Sequence, residues 1–281
     1  MTEGMRESSA GSEGRAGAGA ESNGDSRPGD GSAPTDAVSD FRHLGDDRLY
    51  FRQLLAGRDL ARTDPIARQM VNFVYVIGDR ETGEAVAVDP AYAPDEVIDL
   101  IEADGLRLVG ALATHYHADH VGGDLFGYSI KGMTDLLEQV NVPVHVQRAE
   151  TPWVMRSAGL DRDVLVEHDS DDVVEVGAVR IRLVHTPGHT PGSQCFLVDG
   201  KLVAGDTLFL NGCGRTDLPG SDPAAMYDSL VNRLARLPDD TVVYPGHLYS
   251  KEPSASLGET KRHNPVLAPR SSDEWLRLFG G

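Results

Sequence analysis

The sequence has few of the features that define several large protein classes. It contains two cysteines, Cys195 and Cys213, which are too few for a disulfide framework. It has no run of about 18 consecutive apolar residues, the length that a membrane-spanning helix needs. Its N-terminus lacks the apolar segment of a secretory signal peptide. We therefore expect a cytoplasmic protein that does not act at a membrane.

Basic residues are also scarce. There are 26 Lys and Arg against 44 Asp and Glu, which gives a net charge of −18. Proteins that bind nucleic acids neutralise phosphates with clustered Lys and Arg, so we expect no nucleic-acid partner. The remaining composition, with 40% hydrophobic and 25% charged residues, is that of a globular protein.

The composition changes near the N-terminus. The first 40 residues are rich in Gly, Ser, Ala and acidic residues and contain no Leu, Ile, Phe, Tyr or Trp. Such a segment cannot bury enough apolar surface to offset the entropy of ordering it. We therefore predict a disordered acidic tail over residues 1–45 and a single catalytic domain over residues 46–281.

Alternating strand and helix patterns fill the predicted domain. Residues 71–77 and 85–88 predict a hairpin, because a turn-rich segment separates two apolar runs. Helices are predicted over residues 94–103 and 222–237 from their apolar spacing, and Asp222 is placed to cap the second. Further strands are predicted over residues 106–113, 143–146, 173–176, 179–184, 195–198, 202–204 and 241–244. Two blocks of strands followed by helices suggest two packed sheets covered by helices, although periodicity alone does not fix that layout.

A dense group of metal-binding residue types follows the strand predicted over 106–113. His115, His117, Asp119 and His120 lie within six residues. Imidazole and carboxylate groups are the usual protein ligands of zinc and iron. His115 and His117 can face one metal ion, and Asp119 and His120 follow closely enough to face a second.

Three later loops add single residues of the same kind. The segment 185–192, HTPGHTPG, holds His185 or His189 in a fixed direction, because its prolines and glycines restrict the backbone. Asp206 follows a predicted strand in the segment AGDTLF, and His247 ends the segment YPGH. Loops at strand ends are common positions for catalytic residues.

Taken in order, the segments THYHADH, HTPGHT, AGDTLF and YPGH resemble the metallo-β-lactamase superfamily over roughly residues 71–247. The resemblance implies an α/β fold, a four-layer αββα sandwich with metals at one edge between the sheets. It implies that His115, His117 and His189 hold one metal, that Asp119, His120 and His247 hold the other, and that Asp206 bridges them. His185 matches no ligand of that pattern and is interpreted as a residue that supports the ligands from outside.

Neighbouring segments resemble two branches of that superfamily, the glyoxalase II type hydrolases and the persulfide dioxygenases. The residues 212–215, Gly-Cys-Gly-Arg, fit both branches. The residues 215–217 and 262–265 look more like the dioxygenases, whereas the residues 190–193 and 206–209 look more like the hydrolases. In both branches the implied substrate is a small thiol conjugate, and Arg215 and Tyr249 are candidate substrate-binding residues.

The hydrolase is the leading interpretation. It implies two divalent metal ions, zinc or iron, and cleavage of a thioester of glutathione or a similar thiol by a metal-bound hydroxide, with Asp119 as the catalytic carboxylate that orients the water. The alternative implies one Fe(II) held by His115, His189 and Asp206. Cys213 is interpreted as a small packed residue beside glycines. The sequence leaves a homo-oligomer open.

Overall fold

A computed structural model describes residues 47–268 and 270–279 of the chain. The tail predicted over residues 1–45 lies outside the described residues. Within the described part, none of the helices combines the length and the apolar character needed to cross a bilayer.

The strands of the described residues alternate with short helices. In chain order, the strands are β1 (Leu49–Leu55), β2 (Phe73–Asp79), β3 (Glu84–Val88), β4 (Arg107–Leu112), β5 (Gly123–Leu125), β6 (Tyr128–Ile130), β7 (Val144–Gln147), β8 (Leu165–His168), β9 (Val173–Val176), β10 (Val179–His185), β11 (Gln194–Val198), β12 (Lys201–Gly205), β13 (Leu208–Phe209), β14 (Gly212–Cys213), β15 (Val242–Pro245) and β16 (Ala255–Ser256). The α-helices are α1 (Pro65–Met70), α2 (Pro94–Ala103), α3 (Ala118–Val121), α4 (Met133–Leu137), α5 (Thr151–Ala158), α6 (Pro223–Tyr227), α7 (Leu257–His263) and α8 (Ser272–Phe279).

Two six-stranded sheets form the centre of this structure. The first has the spatial order β1-β2-β3-β4-β7-β8, and the second has the order β16-β15-β12-β11-β10-β9. In the first sheet β3, β4, β7 and β8 run parallel, and in the second β12 and β15 run parallel. Parallel neighbours end at the same edge, so the loops after them meet there.

Apolar side chains fill the space between the sheets and cover both outer faces. Between the sheets, Tyr75 and Ile77 of β2 share a buried cluster with Ile181 and Leu183 of β10. Helices α2, α4 and α5 cover the outer face of the first sheet, and α6, α7 and α8 cover that of the second. The predicted α/β, four-layer αββα arrangement is therefore confirmed.

The predicted elements agree with the structure except at a few boundaries. The hairpin of β2 and β3 and the helix α2 are present, and Val97, Ile98 and Ile101 of α2 are buried as predicted. The prediction that a strand begins at Val71 is wrong by two residues. Val71 instead ends α1 with a positive φ of 52°, and its N–H donates to the Ala67 carbonyl.

The helix predicted over residues 222–237 is less regular than expected. Asp222 caps it by accepting from the N–H groups of Ala224 and Ala225, as its position in the sequence indicated. After α6 the chain continues as a π-helical segment, Asp228–Arg233, and a 3₁₀ turn, Leu234–Arg236. Leu230 and Leu234 are nevertheless fully buried against the second sheet, so the predicted apolar face is present.

The packing between the sheets makes a testable contribution to stability. Replacing Leu183, which is fully buried, by alanine is expected to lower the free energy of unfolding by about 2–5 kcal/mol, because it leaves a cavity. Leu278 is 56% exposed, and the same replacement there is expected to change stability by no more than about 0.5 kcal/mol. Urea denaturation measures both. Equal losses in the two variants would contradict the assignment of this core.

Candidate metal centre

The predicted metal-binding residues lie in four loops that follow strands. His115, His117, Asp119 and His120 follow β4, and the last two belong to the short helix α3. His189 follows β10, Asp206 follows β12, and His247 follows β15. All seven side chains converge at one edge between the two sheets.

Backbone contacts join the sheets at this edge. Asn72 and His247 form an isolated antiparallel bridge, and the Phe73 N–H donates to the Gly246 carbonyl at 2.8 Å. Gln194 donates through its backbone N–H to Thr114 and through its side chain to Ala113, both at 2.9 Å. These contacts fix the loop after β4 against the loops of the second sheet.

The first group of donor atoms consists of three imidazoles. The Nδ1 atom of His117 lies 3.0 Å from the Nε2 atom of His115 and 3.0 Å from the Nε2 atom of His189. The three ligand atoms lie within 4.8 Å of one another. Three convergent imidazoles are the donor set of several zinc sites.

The second group combines imidazoles with a carboxylate. The Nε2 atoms of His120 and His247 are 3.3 Å apart, and they lie 3.6 and 3.4 Å from Oδ2 of Asp119. The three ligand atoms of this group also lie within 4.8 Å of one another.

Asp206 lies between the two groups. Its Oδ1 atom is 3.4 Å from Nε2 of His120, and its Oδ2 atom is 3.3 Å from Nε2 of His247 and 3.8 Å from Nε2 of His189. One carboxylate therefore contacts members of both groups.

Hydrogen bonds at the outer ring nitrogens orient three of these imidazoles. Nδ1 of His189 donates to the Arg215 carbonyl at 2.8 Å, and Nδ1 of His247 donates to the Met70 carbonyl at 2.8 Å. Nδ1 of His120 lies 2.9 Å from the Asp89 carboxylate. When the ring is neutral, a proton held at the outer nitrogen leaves a lone pair on Nε2, which is the atom that faces the other donors.

Two buried polar residues that the sequence did not single out hold the second group. Both oxygens of Asp89 accept from protein donors, the N–H and hydroxyl of Thr114 and the His120 ring. Asp89 therefore orients the His120 ring, and with His115 and His120 it also forms a third group of donor atoms that lie within 4.8 Å of one another. Asn72 donates from Nδ2 to Asp119 at 3.0 Å and accepts from the Tyr92 hydroxyl at 3.2 Å.

Glu150, also missed in the sequence, connects the loops that carry the first group. Its Oε1 atom accepts from the Tyr116 N–H and from the Thr190 hydroxyl, both at 2.7 Å, and its Oε2 atom accepts from the Gly192 N–H at 2.6 Å. Tyr116 lies between His115 and His117, and Thr190 follows His189. One buried carboxylate thus fixes both ends of the three-imidazole group relative to each other.

Burial and neighbouring charges shift the pKa values of individual imidazoles in opposite directions. Burial lowers the pKa of His115 well below its ordinary value, and burial with the neighbouring His189 lowers the pKa of His117 to about 4. Burial also opposes the charged form of His120, but the carboxylates of Asp119 and Asp206 outweigh it and raise the pKa of His120 to about 10. His115 and His117 are therefore neutral at pH 7, the form that binds metal ions.

Glycine allows the backbone to approach Asp206 and His189 closely. A Cβ atom at Gly246 would lie 2.3 Å from Oδ1 of Asp206, and one at Gly214 would lie 2.8 Å from Nδ1 of His189. Any side chain at either position would displace a donor residue.

The donor groups fit divalent metal ions. Oδ1 of Asp206 is a buried oxygen with no hydrogen-bond partner among the described residues. A buried carboxylate oxygen without a donor is costly unless a cation compensates it. Nitrogen and oxygen donors of this kind suit zinc and iron alike.

The donor groups open into a cavity of about 680 Å³. Arg215 and Tyr249, the predicted substrate-binding residues, both line its wall. The Tyr249 ring stacks on the His247 ring, with centroids 4.6 Å apart. Cys213 also lines the cavity, but burial raises its pKa to about 12, which disfavours a nucleophilic thiolate.

His185 lies outside both donor groups. Its Nε2 atom lies 2.9 Å from the carbonyl of Pro191, in the loop that carries His189. This position agrees with the interpretation that His185 supports the ligand loop.

Comparison with known proteins relates this geometry to a family. The chain is 31% identical over 239 residues to the human mitochondrial persulfide dioxygenase ETHE1, and the alignment covers 82% of this chain and 86% of that protein. It is 32% identical over 217 residues to the hydroxyacylglutathione hydrolase of Methylobacillus flagellatus, covering 77% and 78%. The crystal structure of ETHE1 from Myxococcus xanthus superposes with a TM-score of 0.66 at 31% identity, covering 82% of this chain and 89% of that one.

The model of the metallo-beta-lactamase superfamily matches residues 68–247, a range that contains every donor residue described above. Because this match spans more than half of the sequence and the fold agrees with it, the chain belongs to the metallo-beta-lactamase superfamily.

Proposed function

We propose that the protein is a metal-dependent hydrolase that cleaves a thioester of a small thiol. The observation that carries this proposal is the pair of donor groups that share Asp206, because paired metal sites with a shared ligand suit hydrolysis. His115, His117 and His189 would hold one ion, Asp119, His120 and His247 the other, and Asp206 both. A cytoplasmic location stays a prediction.

Bound metal ions would supply Lewis acidity, which lowers the pKa of a coordinated water and polarises the substrate carbonyl. Asp119 is a ligand candidate and also lines the cavity, where its carboxylate can accept a hydrogen bond from the attacking water. Asn72 orients that carboxylate by donating a hydrogen bond to it. The departing thiolate needs little protonation, because thiols have a pKa near 8.5.

A persulfide dioxygenase is the second candidate, and a specific observation favours it. The match to the human persulfide dioxygenase covers more of this chain, 82%, than the match to the hydroxyacylglutathione hydrolase, 77%. In this alternative His115, His189 and Asp206 would hold one Fe(II) in a two-histidine, one-carboxylate arrangement.

Parallel assays on one protein preparation separate the two candidates. Metal-loaded protein is given a thioester of a small thiol, and the released thiol is measured. In a second assay the Fe(II)-loaded protein is given a small-thiol persulfide, and oxygen uptake is measured. We expect thiol release without oxygen uptake. Stoichiometric oxygen uptake, with no thioester cleavage, would replace the hydrolase with the dioxygenase.

Replacing Asp206 should remove metal from both groups, since its carboxylate contacts members of each. After dialysis, the Asp206→Ala variant is expected to contain no more than about one tenth of the metal of the wild type, as measured by elemental analysis. It is also expected to lose turnover. Asp163→Ala, an exposed aspartate outside the cavity, is the matched control. Full metal content in the Asp206 variant, with a native circular dichroism spectrum, would contradict the assignment.

Removing Glu150 should weaken the three-imidazole group without removing a ligand. The Glu150→Ala variant leaves three donors without their acceptor, so the loops holding the imidazoles become less fixed. Metal affinity is expected to fall by about 10- to 100-fold. Glu150→Gln, which keeps an acceptor oxygen, should recover part of it.

Glu138→Ala, at an exposed glutamate, is the control for that measurement. Competition with a chelator of known affinity gives the metal affinity of each variant. If Glu150→Ala binds metal as tightly as the control does, Glu150 does not position the imidazoles.

A further inference from the structure

The tip of the hairpin formed by β5 and β6 is unusual in both position and residue type. Leu125 and Tyr128 are paired, so Phe126 and Gly127 form a two-residue turn. Phe126 is 90% exposed, yet Leu125 and Phe126 both line the cavity that contains the donor groups. The hairpin therefore presents apolar side chains at the mouth of the cavity.

Phe126 is poorly suited to its backbone conformation. Its φ is 52° and that of Gly127 is 86°. Two successive positive φ values are the pattern of the type I′ turn, in which Asn-Gly is strongly preferred. A bulky aromatic residue with positive φ is rare and strained. Since Phe126 is also exposed, neither burial nor turn geometry accounts for a phenylalanine here.

The rest of the cavity wall is also largely apolar. Besides Leu125 and Phe126, the wall includes Met70, Phe209, Leu218 and Pro219. These residues face the same space as the imidazoles of His117 and His189. A substrate whose reacting group lies at the donor atoms would have apolar surface beside it.

Positive charge on the wall is limited. Among the described residues that line the cavity, Arg215 has the one permanently charged cationic side chain. Its guanidinium group donates two hydrogen bonds to Asp217, both at 2.9 Å. Asp124, also on the wall, adds negative charge while it accepts from the Gly127 N–H. A thiol with two carboxylates, such as glutathione, would meet little compensating charge.

We propose that the cavity selects thioesters with an apolar acyl group on a thiol that carries no pair of carboxylates, and that Leu125 and Phe126 contact the acyl chain. This inference rests on the proposed hydrolase function and specifies its substrate class. Phe126 then has a role that explains its strained and exposed position, because its ring becomes covered only when substrate is bound.

The test compares thioesters that differ in one part at a time. The substrates are S-acetyl-, S-butanoyl- and S-hexanoyl-N-acetylcysteamine, whose thiol is uncharged, and S-hexanoylglutathione. Released thiol gives kcat/KM for each. We expect kcat/KM to rise by about fourfold for each methylene group that becomes fully buried. We also expect the hexanoyl ester of N-acetylcysteamine to be cleaved at least as efficiently as that of glutathione.

The variant Phe126→Asn separates substrate contact from folding. Asparagine fits the turn better than phenylalanine does, so the melting temperature should not fall. The ratio of kcat/KM for hexanoyl over acetyl is expected to fall by about fourfold or more, the effect of at least one buried methylene group. Tyr128→Asn is the matched control, since Tyr128 lies on the same hairpin, is 57% exposed and does not line the cavity. Its ratio should equal that of the wild type.

A binding measurement keeps the two proposals distinguishable. Calorimetry with the non-hydrolysable S-ethyl and S-hexyl thioethers of N-acetylcysteamine should show tighter binding of the hexyl compound, and Phe126→Asn should reduce that difference. Tighter hexyl binding without hydrolysis of any ester would overturn the hydrolase and retain the apolar site. Equal kcat/KM and equal binding for short and long chains, or a tenfold preference for glutathione, would overturn the inference about the substrate.

Discussion

Asp206 is a buried carboxylate between two groups of imidazoles, and its Oδ1 atom has no hydrogen-bond partner among the described residues. Burying such a charge without compensation is expensive. The neighbouring His247 and His120 offset part of that expense, and against the effect of burial they hold the pKa of Asp206 well below its ordinary value. A divalent cation held by these residues would offset the remainder. The space around Asp206 also depends on Gly246, where any Cβ atom would displace this oxygen.

The two sheets serve this arrangement by bringing four strand ends to one edge. A strand end positions the start of a loop, but a ligand set also needs supporting hydrogen bonds that hold its side chains in place. Three buried polar residues supply the difference. Glu150 joins the loops of the first group, Asp89 orients His120, and Asn72 orients Asp119. All three form hydrogen bonds with other protein groups. These bonds hold the ligand loops and side chains in place, so the donor atoms stay directed at one another.

Local signals in the sequence were sufficient to predict most strands and helix α2, whereas the two-sheet layout and the set of seven converging residues were implied by the resemblance of four segments to a known family. Strands and α2 follow apolar periodicity, four of the donor residues lie close together after β4, and His189, Asp206 and His247 each follow a glycine. The role of these residues as metal ligands remains a prediction.

Asp89, Asn72 and Glu150 were missed for a physical reason. Each acts on a partner 31 to 47 residues away in the chain, and a single Asp, Asn or Glu has no local pattern that indicates such a contact. The irregular helix after α6 was missed similarly, since the apolar spacing of Leu230 and Leu234 is compatible with both regular and π-helical turns.

The donor groups and the cavity wall determine different properties of the reaction. Hydrolysis and persulfide oxidation would both use His115, His189 and Asp206, so these residues alone cannot select one substrate over another. Selection must come from groups that contact the substrate away from the reacting atoms. Among the described residues that line the cavity, those groups are mostly apolar, with a single permanently charged cation, Arg215, which is already paired to Asp217. A strained phenylalanine at the tip of a hairpin persists only if it contributes something that Asn-Gly would not. The wall of the cavity therefore favours an apolar substrate, whichever metal the donor groups hold.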